Sequence, residues 1–241
     1  DRPEASQQVL VTGSDRTGRP VDLTRQARYR VIDPKIAGIG RNGRIEPRKD
    51  GRTRLVVEVA DTRSEVVILV QGQATPRPVS FQHEVIPILT KARCNAAACH
   101  GKAEGQNGFK LSIFGYDPVA DHEALVRESR QRRVVLTSPG SSLLIRKSTA
   151  ETPHGGGRMI DPGSLPYRRL SRWVAEGARL EAGGVPVTGV VIEPSVRTLH
   201  QKESQQIQVT AIDADGRRHC VTSEAEFDSN AELVAHVDES G

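Results

Sequence analysis

One stretch of this sequence occurs twice, and the repeat constrains the fold more than any other feature. Residues 6–12 match residues 204–210 at an offset of 198, and the match continues without a gap to Gly43 and Gly241. Each copy alternates apolar and polar residues in short runs bounded by turn residues, which is typical of half-buried strands. The sequence therefore predicts a small antiparallel β-sandwich at each end of the chain.

The two copies are cut differently. Residues 190–202 precede the second copy and have no counterpart before the first, and residues 44–72 follow only the first copy. We expect the chain to begin inside one sandwich and to stop within another. Because an open sheet edge favours pairing with another strand, a homodimer through these incomplete edges is a further expectation.

Between the copies lies the heptapeptide CNAAACH at residues 94–100, in which a histidine follows the second of two cysteines. In a c-type haem attachment site, the two thiols become thioethers to the porphyrin and the adjacent histidine ligates the iron. The usual motif has two residues between the cysteines, whereas four separate Cys94 from Cys99 here. Cys94 and Cys99 are the candidate thioether residues, and His100 is the candidate proximal iron ligand.

A haem iron of this kind has a second axial ligand, for which the sequence offers two residues. His154 precedes three glycines, and such a loop can bring an imidazole over a porphyrin. Met159 is the only methionine, and its thioether would raise the reduction potential relative to an imidazole. The residues alone do not decide between His154 and Met159 as the distal ligand.

Two helices are predicted in the segment that carries the motif. The first has Ser80 as its N-cap and leads into Cys94, with Pro87 interrupting or kinking it. Its apolar stripe comprises Phe81, Val85, Ile88 and Leu89. The second begins at Pro166 and ends at Gly177. Its apolar face comprises Tyr167, Leu170, Trp173 and Val174. We expect these two helices to pack together.

The central segment resembles the cytochrome c domain of large planctomycete proteins, in which bacterial immunoglobulin-like group 2 domains flank the haem segment. The matching stretches are CNAAACHG at 94–101, NGFKLS at 107–112, SSLL at 141–144, PHGGG at 153–157 and WVAEGA at 173–178. In both copies of the repeat, the turn with the pattern Asp-x-x-Gly-Arg carries the likeness to the immunoglobulin-like domains. The four-residue spacer is typical of this group.

The resemblance implies a multidomain fold class. A mostly α cytochrome c-like domain at residues 78–182 would lie between all-β immunoglobulin-like sandwiches at residues 1–77 and 183–241, with the second sandwich and the start of the first incomplete. It also implies one covalent haem c, and it favours His154 over Met159 as the distal ligand.

The implied function is electron transfer by an exported protein of the periplasm or cell surface, with an unidentified redox partner, rather than enzyme catalysis. Two alternatives stay open. A haem-based sensor or peroxide-reactive domain would need a displaceable distal ligand, with Arg158 or His122 assisting, although both are expected at the surface. A haem-free secreted protein would join Cys94 and Cys99 in a disulfide, or place them with His100 in a zinc site.

Composition excludes two other classes. Lys and Arg number 34 against 30 Asp and Glu, and the only dense basic run, residues 127–133, is interpreted as a solvated helix face. A nucleic-acid-binding protein would concentrate positive charge on one element, so nucleic acid is not expected as a partner. No apolar run reaches the roughly 18 residues of a membrane span.

Cys220, the third cysteine, is predicted to be a half-buried strand residue.

Overall fold

The protein is described by a computed structural model that covers residues 2–180 and 184–241 and divides into two compact units. One unit combines Asp1–Pro76 with Val187–Gly241, and the other is Arg77–Pro186. Both copies of the repeat therefore belong to one unit, and the CNAAACH motif belongs to the other. The boundary predicted between residues 182 and 183 lies outside the described residues.

The unit that contains the repeats consists of short antiparallel strands. They are β1 (Gln7–Gln8), β2 (Thr12–Ser14), β3 (Pro20–Asp22), β4 (Arg28–Val31), β5 (Ala37–Ile39), β6 (Arg44–Pro47), β7 (Gly51–Val59), β8 (Thr62–Val70), β9 (Val187–Glu193), β10 (Gln208–Asp213) and β11 (Arg218–Cys220). Their sheet orders are β1-β6-β5, β2-β3, β4-β7-β8 and β11-β10-β9. The buried apolar cluster of this unit comprises Ala27, Ala37, Ile45, Leu55, Val57, Ile68 and Val70.

The two copies of the repeat close the same turn with the same ion pair. Arg19 donates from Nε to Asp15 Oδ2 at 3.0 Å, and Arg217 donates from Nε to Asp213 Oδ2 at 3.1 Å. In both copies, the backbone N–H of the aspartate also donates to the carbonyl of the arginine at 2.9 Å. The repeat detected in the sequence is thus also a repeat of hydrogen bonds.

Buried polar side chains repeat as well. Thr24 Oγ1 accepts the backbone N–H of Val11 at 2.9 Å, and Thr222 Oγ1 accepts that of Val209 at 2.8 Å. These hydroxyl groups give the two backbone donors a partner, and a buried donor without a partner would cost free energy.

A pair of equivalent glutamines ties each copy together internally. Gln8 Nε2 donates to the carbonyls of Val9 and Asn42. Gln206 is only 1% exposed, and its Nε2 lies within hydrogen-bonding distance of three carbonyl oxygens. Those oxygens belong to Ile207, Ser240 and Gly241. One amide group in each copy therefore joins its strand to the loop that ends that copy.

The copies contact each other reciprocally. The backbone N–H of Gln8 donates to Cys220 Sγ at 3.4 Å, and the backbone N–H of Gln206 donates to Asp22 Oδ2 at 2.6 Å. Gln8 and Gln206 are equivalent positions of the repeat, and so are Asp22 and Cys220. Such a contact, in which equivalent surfaces exchange equivalent bonds, has the form of a two-fold symmetric interface.

The other unit contains four short α-helices. They are α1 (Ile86–Lys91), α2 (Pro118–Val126), α3 (Leu143–Ser148) and α4 (Leu165–Ala175). A π-helical turn, Phe81–Val85, leads into α1, and three 3₁₀ turns lie at Ile113–Gly115, Ser129–Gln131 and Pro139–Ser141. Of the helices in the described residues, none combines the length and the apolar character required to cross a membrane.

Both predicted helix starts are confirmed. Ser80 caps the first helical segment by accepting the backbone N–H of His83 at 3.3 Å, and Pro166 lies in the first turn of α4. The expected packing is confirmed too, because the rings of Phe81 and Trp173 lie 5.2 Å apart between centroids. These two aromatic side chains are at the centre of the buried cluster of this unit.

The predicted fold class is nevertheless wrong. Strands account for 23% of the chain and helices for 19%, so the protein is not built around a mostly α cytochrome domain. The helices of the central unit are short because tight turns separate them. Several turns place non-glycine residues at positive φ, among them Arg93, Phe114 and Ala150. At the ends of the chain, the predicted sandwiches are small antiparallel sheets of two or three strands.

The glutamine contacts yield a stability prediction. Gln206→Ala should lower the free energy of unfolding by about 2 kcal/mol, because buried carbonyl oxygens would lose their donor. Gln7 is exposed and gives one bond to its neighbour, so Gln7→Ala is the control, with an expected loss below about 0.5 kcal/mol. Urea denaturation followed by circular dichroism measures both values. Equal losses for the two variants would contradict the role of Gln206.

Candidate functional site

The cysteine motif folds into a compact turn directly after α1. The backbone N–H of Cys94 donates to the carbonyl of Leu89 at 2.8 Å, which holds the first cysteine against the end of the helix. The backbone N–H of His100 then donates to the carbonyl of Cys94 at 3.0 Å. The chain therefore returns on itself between the two cysteines, and the long spacer is taken up by a turn rather than by a continued helix.

Two residues inside this turn explain its shape. Asn95 is 1% exposed, and its Nδ2 donates to Thr90 Oγ1 at 2.9 Å, so the turn is fixed to α1. Gly101 lies directly against the backbone, and a Cβ at this position would collide with the carbonyl oxygens of Asn95 and Ala96. Only glycine fits at position 101 without moving the turn.

The turn forms one wall of a cavity of about 550 Å³ within the central unit. This volume lies in the range of cavities that bind small molecules and cofactors. The lining includes Cys94, Cys99, His100 and His154. The apolar part of the wall comprises Leu89, Ala98, Phe109, Leu111, Leu125, Leu143 and Leu144. Four residues singled out in the sequence thus meet at one site.

The two imidazoles are arranged as a pair. The rings of His100 and His154 are nearly parallel, with 9° between their planes and 6.4 Å between their centroids. That separation exceeds van der Waals contact of stacked rings, which is about 3.5–4 Å. The two imidazoles therefore lie near each other with parallel planes and without stacking contact.

In both imidazole rings, the Nδ1 atom is held by a backbone carbonyl oxygen. His100 Nδ1 lies 3.1 Å from the carbonyl oxygen of Phe109, and His154 Nδ1 lies 3.1 Å from that of Gly157. In neutral imidazole, an Nδ1–H that donates to a carbonyl leaves Nε2 with the lone pair. Metal-binding histidines are commonly oriented by such a bond from the second nitrogen. Both residues are thus prepared to ligate through Nε2.

The surroundings of His100 and Cys94 shift the pKa of each towards its neutral form. Burial lowers the pKa of His100 below its ordinary value, and the nearby His154 and Arg133 lower that pKa further, against the opposing effect of the Phe109 hydrogen bond. Burial also raises the pKa of Cys94 to about 12, and the neighbouring Cys99 adds to this shift. Both cysteines are free thiols. A neutral imidazole is the form that binds a metal.

Met159, the alternative distal ligand, is placed differently. It packs against the buried apolar cluster of the central unit and is not among the described residues that line the cavity. Its backbone N–H donates to the carbonyl of Ser148 at 2.9 Å, which anchors the segment after the glycine loop. The structure thus brings His154 to His100, whereas Met159 is half-buried against the apolar cluster, next to Gly156 of the loop.

Arg133 is a site residue that sequence reasoning missed. Residues 127–133 were interpreted as a solvated helix face, but they contain no α-helix, and Arg133 is only 7% exposed. Its guanidinium donates to the carbonyls of Ala124 and Gly108 and lies 4.5 Å from the centre of the Phe109 ring. Phe109 in turn holds His100 through its carbonyl oxygen. Phe109 lies in the NGFKLS stretch that carries the family resemblance, so the sequence pointed to it. A run of basic residues does not indicate which one of them is buried.

The two residues considered for peroxide or gas binding lie elsewhere. His122 was expected at the surface, but it is 9% exposed, and its Nε2 lies 2.7 Å from the carbonyl oxygen of Ala178. It packs edge-on against Phe81 and belongs to the core. Arg158 is exposed, as expected, and lies 3.9 Å from Asp161. Neither residue is among the described residues that line the cavity.

Comparison with known proteins finds no matching family model and no matching curated sequence. In residues 2–180 and 184–241, no group of three or more His, Cys, Asp or Glu side chains is arranged to hold a metal ion by itself. The interpretation of the cavity therefore depends on its own residues and their geometry.

The fit of Gly101 yields a testable prediction. Gly101→Ala should destabilise the central unit by about 1–3 kcal/mol, because the added methyl group overpacks the turn. Gly140→Ala is the matched control, since a Cβ there meets no atom within 4 Å. Trp173, the only tryptophan and a buried residue of this unit, reports its unfolding by fluorescence in urea, in protein made without a cofactor. A silent Gly101→Ala variant would contradict the described turn.

The raised pKa of Cys94 yields a second prediction. Because the thiolate is the reactive form, alkylation of Cys94 by iodoacetamide should keep rising by about tenfold per pH unit from pH 8 to above pH 10. The free protein is treated at each pH, and peptide fragmentation by mass spectrometry separates Cys94 from Cys99. A plateau near the ordinary thiol pKa of about 8.5 would show that Cys94 is not buried as described.

Proposed function

We propose that the central unit binds one covalent haem c and transfers electrons. The observation that carries this proposal is the meeting of Cys94, Cys99, His100 and His154 at one cavity, with both imidazoles held by their Nδ1 atoms. The residues fit the group in number and in chemistry, since two thiols, two imidazoles and apolar side chains are present together. In this proposal, the scaffold is the small unit described above rather than a mostly α cytochrome domain.

In the proposed complex, Cys94 and Cys99 would hold the porphyrin through thioethers, and His100 and His154 would ligate the iron. Met159 is the alternative distal ligand on sequence grounds, but it is not among the described residues that line the cavity, which favours His154. The bound haem iron supplies one-electron exchange. The protein supplies fixed ligand orientations, because each imidazole is held by a backbone carbonyl, and a wall of leucines that excludes water.

A pair of histidine ligands favours electron transfer over catalysis. Two histidine ligands would leave no position on the iron open to a substrate or a gas. A histidine in place of methionine also lowers the reduction potential, since a thioether ligand raises it. The electrostatics would act in the opposite direction. The buried cation Arg133 lies over the ring of Phe109, the residue whose carbonyl oxygen holds His100, and a cation there would disfavour the oxidised, more positive iron.

The location follows from the proposed cofactor. Thioether haem is attached outside the cytoplasm in the proteins that this segment resembles, so we infer a periplasmic or cell-surface protein with a separate redox partner. The unit that carries the repeats would act as a spacer or contact module beside the haem unit.

The proposal is tested by the optical spectrum of the protein expressed in a host with haem-attachment machinery. We expect a covalent haem in the pyridine haemochrome assay and a low-spin, six-coordinate iron. His154→Ala should convert the iron to a high-spin form that binds carbon monoxide when reduced. Met159→Leu is the matched control and should leave the spectrum unchanged.

Three results would contradict parts of this proposal. A colourless protein would contradict haem binding and would favour a disulfide between Cys94 and Cys99. A spectrum that changes with Met159→Leu and not with His154→Ala would make Met159 the ligand. Rapid binding of carbon monoxide by the unaltered reduced protein would indicate a displaceable ligand and a sensing or peroxide-reactive function.

A further inference from the structure

The charged residues that line the cavity are all of one sign. Arg132, Arg133 and Lys147 contribute to the wall, and none of the described lining residues is an aspartate or a glutamate. Arg133 Nη1 also donates to Glu128 Oε2 at 3.3 Å, but the Glu128 side chain is 56% exposed and lies outside the described cavity lining. The inside of the cavity is thus electropositive as well as apolar.

This combination defines the ligand that fits. Cations near a low-dielectric wall favour an anion strongly, because their field is poorly screened there. The leucine side chains require the rest of the ligand to be apolar. A ligand with a large apolar body and carboxylate groups meets both requirements, whereas a neutral or cationic ligand meets only one.

We propose that Arg132, Arg133 and Lys147 bind the two carboxylates of the porphyrin. The inference rests on the proposed function and adds the residues that recognise the anionic side chains of the cofactor. Charge-assisted hydrogen bonds from arginine and lysine to carboxylates are among the stronger polar contacts in proteins. Nothing in the cysteine motif predicts these residues, since they lie more than thirty positions further along the chain.

The three cations differ in how they are held. Arg133 is fixed by two backbone carbonyls and by the Phe109 ring, so its charge cannot leave the cavity. Lys147 donates to the carbonyl of Pro153 at 2.6 Å, directly before His154, and so connects the cation to the loop of the distal ligand. Arg132 is exposed, and its removal leaves this packing intact.

The experiment compares two porphyrins that differ only in charge. The full chain, made without haem and kept reduced, is titrated with haemin and with haemin dimethyl ester. We expect haemin to bind at least about tenfold more tightly than the ester, as the loss of a charge-assisted hydrogen bond implies. Arg132→Gln should reduce this preference several-fold. Arg127→Gln is the matched control, because Arg127 is an exposed cation outside the described cavity lining.

Lys147 requires its own comparison, because it also holds the loop before His154. Lys147→Gln should weaken haemin binding, and Lys147→Arg should restore the preference for haemin over the ester. Loss of the preference for haemin in both variants would show that Lys147 acts only by holding the loop before His154.

The outcomes separate this inference from the function on which it rests. Equal affinities for haemin and its ester, with no effect of Arg132→Gln, would overturn the carboxylate assignment and leave haem binding intact. Failure of both porphyrins to bind would count against the proposed function itself.

Discussion

The backbone hydrogen bond from His100 to the carbonyl of Cys94 closes the turn on which the site depends. One such bond contributes only about 1 kcal/mol to stability, so it cannot hold the turn alone. The buried amide of Asn95 fixes the turn to α1, and the missing side chain of Gly101 lets the backbone close. On the other side, the carbonyl of His100 accepts the N–H of Leu111, which places the imidazole at the cavity wall.

Local signals predicted the helix starts correctly, and they misjudged the fold class. Ser80 and Pro166 mark helix starts by interactions within a single turn. Such interactions depend only on residues that are close in sequence, so the sequence predicts them. The extent of the helices was not predictable in this way. It is limited by turns in which residues such as Arg93 and Ala150 adopt positive φ, and these residue types give no warning of that conformation. The role of Arg133 also escaped, because its partner Phe109 is distant in sequence.

The repeat shows which residues preserve a fold when most of the sequence changes. The positions that match between the copies are largely polar, and the structure explains why. Asp15 and Arg19 close a turn, Thr24 accepts a backbone N–H, and Gln8 donates to backbone carbonyls, with equivalent bonds in the second copy. Apolar residues can replace one another at similar volume, whereas a buried backbone group needs a partner at one particular position.

One pair of equivalent positions departs from this rule. Where the first copy places the carboxylate of Asp22 against a backbone N–H, the second places the thiol of Cys220, which is 7% exposed. A third thiol would compete for the two cysteines of the CNAAACH motif in any compartment that forms disulfides, and exchange requires that the attacking sulfur be accessible. Burial of Cys220 in the contact between the copies therefore protects Cys94 and Cys99 from a mispaired disulfide.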